Sequence, residues 1–538
     1  MDKNHKPCLK EELGEFLICD CDKNKTQEVK EVSISNKSKI PNQKEDSYKY
    51  TKIQNNNIIK KIKSNLICIF FLISFIIVLS SMVYIYSSSK TKNNNKTKKE
   101  KRKLEHAILE FELKVNDIGT QNILNNDFSD NPSQIIIINR TGDEKVLYED
   151  FNERSINITD KEDTIKLVYD LNDSDTLNCS KMFLGADITE INIKEKNDAR
   201  IESMVKMFES CQYLSSVNIN NLNFSKIETM EEMFKDCKLL SSIDLSNVNM
   251  RYVKSTKKMF SGCTSLTLIN FTKSQVYELE TMEYMFENCE SLTLVKIFID
   301  DLENLNNMEH SFENCFSLES INLNGFRAEY LKYMNYMFNG CSKLKSIDLK
   351  NDFVTYRVEE MEGLFSGCES LSSIDLRKFY TKNVKKMCLM FYNCKSLEQI
   401  DLSNFNFESA KNMSFMFYDC HKLTSIEINL ENSLVTTIDY MFYNCYLIKS
   451  ISLINFNMSE LISFTEVFSE CRYLEYINMS KSELNLDIAN PFNDIIENAV
   501  IYTEKGDLNM LYKFINDSSC LSYDCTDDWN INRKKNSL

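Results

Sequence analysis

Glycine, proline and histidine are scarce, with 10, 4 and 4 residues in a chain of 538. So little Gly and Pro means that turns must be built on Asn, Asp and Ser. There is no glycine-rich phosphate loop and no nucleophile elbow. The histidines, His5, His106, His310 and His421, stand in no C-x-x-C or H-E-x-x-H frame, so they assemble neither a metal site nor a His-centred catalytic constellation. No catalytic residue, metal or cofactor is expected, and an enzyme is disfavoured. Positive charge is short outside the N-terminal stretch. Residues 1–103 carry 22 Lys+Arg and 11 Asp+Glu, which leaves 42 and 68 of the totals of 64 and 79 for residues 104–538. A body this acidic repels phosphates, which argues against nucleic acid as the main partner.

What the chain has in abundance is repetition. Cysteine recurs at Cys211, Cys237, Cys263, Cys289, Cys315, Cys341, Cys368, Cys394, Cys420, Cys445 and Cys471, in steps of 26 residues with one of 27 and one of 25. Three residues ahead, phenylalanine keeps the same phase from Phe208 to Phe468, and Phe183 with Ala186 adds a first unit. Methionine precedes this Phe by one residue or by four, and those two columns absorb 17 of the 23 methionines. Their shared phase marks a core rather than a Met-rich binding groove. Within one unit, Ile227, Met230, Met233, Phe234 and Cys237 fall on one face of a helix, and Leu240, Ile243 and Leu245 lead into a short alternating strand. The expected fold class is α/β: a solenoid of about twelve helix–strand coils, each burying its apolar face only against its neighbours.

The pattern M-x-x-M-F-x-x-C-x-x-L-x-x-I-D-L-S, as at Met413 to Cys420 and Cys394 to Ser403, resembles the BspA-like leucine-rich repeat surface proteins of microbes. The resemblance covers residues 176–480. It implies a leucine-rich-repeat solenoid displayed at a cell surface, with adhesion or recognition as its role. It carries no catalytic residue to transfer.

The flanks divide by composition. Residues 1–63 read as a disordered cytoplasmic tail. Residues 64–87 hold the uncharged run from Leu66 to Tyr86, the length of a membrane-spanning helix. A basic linker (88–103) leads to a β-rich capping region (104–175), in which Phe111, Leu113 and Val115 alternate with polar residues and Ile135 to Ile138 and Ile165 to Leu171 read as strands. The array follows (176–480), then a C-terminal cap (481–538) with a strand at Ala499 to Thr503 and a short helix at Leu508 to Ile515. Six lysines precede the apolar run within 20 residues and eight basic residues follow it, so the positive-inside rule does not orient it. Long domains translocate regardless of flanking charge. The expected arrangement is a single-pass plasma-membrane protein with its array outside.

The site candidates follow from phase. Equivalent cysteines on adjacent coils come within disulfide range, but parallel side chains bridge poorly, so buried free thiols are expected. Near the C terminus, Cys520 and Cys525 form a disulfide if that end is extracellular, or remain two surface thiols. Asn139, Asn157 and Asn516 begin glycosylation sequons. One outward residue per coil lies between the inward strand positions, and in four successive coils it is Asp348, Asp375, Asp401 and Glu427. Stacked carboxylates repel, so a basic partner, Ca²⁺, or neighbouring Lys350 and Arg377 would compensate them. The alternative is a solvated acidic ladder, or Asp bonding to turn backbone. The leading expectation is a membrane-anchored recognition or adhesion protein that binds protein or glycan on the concave face. The runner-up is a structural or scaffolding protein with its array in the cytosol, which the basic run at 90–103 supports.

Overall fold

The computed structural model describes residues 107–522, apart from 148–154, 173–174, 198, 220–221, 247, 272–273, 297–301, 324–325, 350–352, 483–498 and 503–519. The chain divides into two compact units, Met1–Lys96 and Thr97–Leu538, and every described residue belongs to the second. That unit is a β-solenoid of about 11 turns. One part of the expected fold is corrected. The coils are not helix–strand units, because the described residues contain no α-helix and only one 3-10 turn, Met458–Glu460. Nor is any helix of the described residues long and apolar enough to cross a membrane. The run Leu66 to Tyr86 and the helix expected at Leu508 to Ile515 lie outside the described residues.

The helix fails for a local reason. An α-helix sends each N–H to the carbonyl four residues back. Here alternate N–H groups leave the coil: Met230, Glu232, Phe234 and Asp236 donate to the carbonyls of Ser255, Lys257, Met259 and Ser261 in the next coil, at 2.8–2.9 Å. Between them, Met233, Lys235 and Cys237 close three-residue turns onto Met230, Glu232 and Phe234. Glu232 and Asp236 have φ of +54° and +59°, the third-position signature of a type II turn and incompatible with a right-handed helix. The same two left-handed positions recur in every coil. A non-glycine residue there costs about 1–2 kcal/mol, offset by the bonds made between coils. One column advertises this in the sequence. The residue before each ladder cysteine is Gly, Asn or Asp except at Ser210 and Glu470. At Gly367 (φ +71°) a Cβ would lie 3.2 Å from Gly340 N, so glycine also answers a close approach there.

Each coil therefore has a turn ribbon on one side, and most carry a short strand on the other. The strands stack in parallel and in register, Ser242–Asp244 on Leu268–Asn270 on Leu294–Lys296, then Ser320–Asn322 on Ser346–Asp348, then Ser425–Asn429 on Ser450–Ile454 on Tyr476–Asn478. At the N-terminal end, Ser216–Asn218 pairs with Ile188–Lys196, and the antiparallel strand Ala107–Val115 covers the latter's other edge. From that strand the sheet continues through Thr164–Leu171 and Gln134–Ile138 to Glu144–Leu147, so the first coil does not present a bare edge. Its alternation is plain: Leu109, Phe111, Leu113 and Val115 are buried, while on the other face Glu110 pairs with Lys166 and Lys196 at 3.0 and 2.6 Å. Val500–Tyr502 and Cys520–Ser522 extend the ladder at the far end.

The core is columnar. From Phe183 to Phe468 the twelve phenylalanines are buried and stacked, with centroids 5.3–6.2 Å apart and planes within 21°. Burying one such ring contributes roughly 1.5–3 kcal/mol. The cysteine and methionine columns lie buried beside them.

Candidate functional site

Every ladder cysteine is a buried free thiol. Its Sγ–H donates to the backbone carbonyl of the phenylalanine in the preceding coil, as Cys237 does to Phe208 (3.1 Å) and Cys394 to Phe365 (3.2 Å). Burial pushes the thiols up, to about 12 for Cys211 and Cys471 near the array ends, and it raises Cys263 and Cys289 in between as well. The column thus stitches coils through a weak hydrogen bond and is held in its unreactive form.

The acidic column on the strand side is not uniform. Asp348 ends the strand Ser346–Asp348 and Glu427 lies within Ser425–Asn429. Asp375 and Asp401 fall between, where the chain forms no described strand. The guanidinium of Arg377 grips Asp375 through Nε (2.9 Å) and Nη2 (2.6 Å), which with the Arg377 backbone N–H lowers that carboxyl to about 2. Asp401 is lowered by hydrogen bonds from the Ser403 hydroxyl and from the Ser403 N–H, the latter at 2.9 Å. Asp244 similarly accepts from Ser246 N–H and from the Asn270 amide of the next coil. Lys350 lies outside the described residues.

Sequence reasoning gave no role to the exterior of the turn ribbon. Across coils 204–283 it is a charged lattice: Lys206 and Lys235 each bridge Glu209 and Glu232 at 3.0–3.1 Å, and Lys257 pairs with Glu283 at 2.8 Å. At mid-array His310 stacks between Tyr284 (4.3 Å) and Tyr336 (5.2 Å), with Nδ1 on Glu313. Across coils 389–443 the ribbon turns aromatic. Tyr392, Tyr418 and Tyr443 stack at 5.0 and 4.8 Å, beside Phe415 on Tyr440 at 5.1 Å, all half-buried. The 26-residue spacing of Tyr392 and Tyr418 was the available signal; assigning a helix hid that they share a face.

Asn139 is exposed in the hairpin after Gln134–Ile138, where its Oδ1 accepts from the Thr141 and Asp143 N–H groups, and Asn157 is exposed in the strand Ser155–Ile158. Asn516 and Cys525 lie outside the described residues, and Cys520 opens the last strand. No group of three or more His, Cys, Asp or Glu among the described residues is placed to hold a metal ion.

Interlocked coils with this spacing define a repeat-solenoid protein. The chain belongs to the family described as Mycoplasma protein of unknown function, DUF285, whose profile matches residues 177–297, 280–373, 303–432 and 422–505, together more than half of the chain. No curated protein matches it. Among solved structures it is similar to TLR13 in its complex with ssRNA13 (18% identity, 63% of this chain and 48% of that chain, TM-score 0.25). It is also similar to the pneumococcal vaccine antigen PcpA (15%, 60% and 76%, 0.27) and to an internalin, inlF, of Listeria monocytogenes (12%, 52% and 74%, 0.22). The chain thus spans about half the length of the first of these.

Proposed function

We propose that this is a recognition protein that binds a protein or glycan partner through the exterior columns of its array. In this reading the uncharged run Leu66 to Tyr86 attaches it to the plasma membrane with the array outside, as the BspA-like resemblance suggests. One observation carries the binding role. The interior columns of Phe, Cys and Leu hardly change along the solenoid, while the exterior columns pass from charged to aromatic on the same backbone. A rigid scaffold with a varied exterior suits recognition. Asp348, Asp375, Asp401 and Glu427 form one candidate face, and their joint replacement by Asn and Gln is expected to weaken binding to partner cells. Unchanged cell binding would remove that face from the reading. The basic run at 90–103 favours the cytosolic scaffold as the second reading. Protease added to intact cells separates the two: cleavage within the array supports surface display, and full protection supports the scaffold.

A further inference from the structure

Beyond the strand side, the array contains a groove of about 320 Å³ lined by Lys332, Arg357, Glu359, Asn383, Lys385 and Ser409. Two columns on successive coils build it. Lys332, Glu359 and Lys385 form one, and Arg357, Asn383 and Ser409 the other. The backbone fixes their spacing, because Glu359 N–H donates to Lys332 O (2.9 Å) and Lys385 N–H to Glu359 O (2.8 Å). Each position of the second column immediately precedes a buried residue, Val358, Val384 or Ala410, which anchors its backbone.

The charge is opposite to that of the body around it. Three cations meet one carboxylate here, whereas residues 104–538 hold 68 acidic and 42 basic residues. Lys385 is occupied by Glu359 at 2.7 Å. Among the described residues no carboxylate lies within ion-pair distance of Arg357, and Lys332 meets Glu359 only through a longer-range attraction. Arg357 instead lies over the Tyr330 ring at 4.2 Å, a cation–π contact that holds the guanidinium while its N–H donors remain able to meet an anion. Aromatic rings flank the groove in the open. Tyr330, Tyr356 and Tyr380 are 45%, 54% and 41% exposed, and Tyr356 and Tyr380 stack at 4.1 Å. Tyr380 is held by Thr355, a buried hydroxyl that accepts its N–H at 2.7 Å. The Asn383 amide N–H donates to Tyr356 O at 2.9 Å, which orients its oxygen as an acceptor.

We propose that this groove binds an acidic saccharide, a sugar carrying carboxylate or sulfate. Arg357 and Lys332 take the anion, the exposed tyrosines face the ring, and Asn383 and Ser409 meet hydroxyls. A nucleic-acid strand is the poorer fit, because it needs a cationic track along many phosphates and the cations here are confined to one groove. The assignment rests on reading the array as a recognition surface, and it names a site and ligand class on a different face from the acidic column.

The test is titration calorimetry on the full-length protein in detergent. The probes are a sulfated heparin tetrasaccharide, a tetragalacturonate carrying carboxylates alone, a neutral malto-oligosaccharide and a single-stranded oligonucleotide. One or both acidic saccharides should bind and the neutral one should not, and the pair distinguishes sulfate from carboxylate recognition. The double variant Lys332→Gln/Arg357→Gln should weaken binding on the order of tenfold or more, and Tyr356→Ala should weaken it several-fold. Lys206→Gln on the ribbon should leave it unchanged. Continued inertness of the ladder thiols to a thiol reagent reports intact folding in each variant. Absence of binding by both acidic saccharides, equal binding by the double variant, tighter binding of the oligonucleotide, or full displacement by an equal concentration of inorganic sulfate would each overturn the proposal. If cell binding depends on Asp375 and Asp401 while the groove takes no saccharide, the groove fails and the recognition reading stands.

Discussion

The turn ribbon near Phe208 and Phe234 and the turn ribbon near Phe391 and Phe417 have the same backbone and opposite exteriors. In both, the phenylalanines stack face to face, at 5.3 and 5.4 Å, and the cysteines reach back to the preceding coil. In both, the residue two before Phe and the residue two after it take positive φ. The outward positions differ: Lys206, Glu209, Glu232 and Lys235 interlock as ions in the first, and Tyr392, Phe415, Tyr418 and Tyr440 pack as rings in the second. The hydrogen-bonded ribbon and its core accept either exterior. Stability resides inside and between coils, and chemical character is free to vary outside.

That comparison is breakable, beginning with the largest effect. Phe234→Ala and Phe391→Ala should each cost about 3–5 kcal/mol, with hydrogen exchange rising only in adjacent coils. A cost confined to one half, or uniform loss of protection, would show that the two cores are not equivalent. Next, Asn393→Val and Asp236→Val should each lose about 1–2 kcal/mol in urea unfolding, because a β-branched side chain resists left-handed φ. Asn393→Gly should stay within a few tenths of a kcal/mol of the parent. If valine proves as good as glycine there, the turn geometry is wrong.

The exterior effects are smaller. Tyr418→Ala should cost about 0.5–1.5 kcal/mol beyond its lost area, equally at low and high salt. Lys235→Gln should cost less than about 1 kcal/mol, and the cost should shrink as salt is added. A salt-independent Lys235 effect would assign it to packing of the side-chain stem. The faintest signal is pH. Burial raises the Glu232 carboxyl, but hydrogen bonds from Lys235 and Lys206 outweigh it and leave the group lowered. Its stabilisation is present above the ordinary carboxylate value and is lost as pH falls through the lowered one. Burial likewise depresses Lys235, but Glu209 and Glu232 leave it raised, so its share is present below the ordinary lysine value and is lost in stronger alkali. On acidification, exchange should rise around Lys206 to Lys235 before it rises around Tyr392 to Tyr443. The reverse order would sink the electrostatic account of the first half.

The sequence alone determined the number of residues per coil, the phase of the Phe, Cys, Met and Leu columns, and the burial that follows, because a repeated apolar position has nowhere to go but against its own copy in the next coil. It also placed strands at Phe111 to Val115 and Ile165 to Leu171, where alternation has period two. It did not distinguish the ribbon from a helix. Ile227, Met230, Met233, Phe234 and Cys237 satisfy a helical spacing, and apolar spacing is silent about where an N–H group finds its acceptor. Only the stacked structure supplies the carbonyls of the neighbouring coil, and with them the left-handed turns at Glu232 and Asp236. Arg357 over Tyr330 was likewise decided in three dimensions: the two residues are 27 positions apart in sequence and adjacent only because one coil lies upon another.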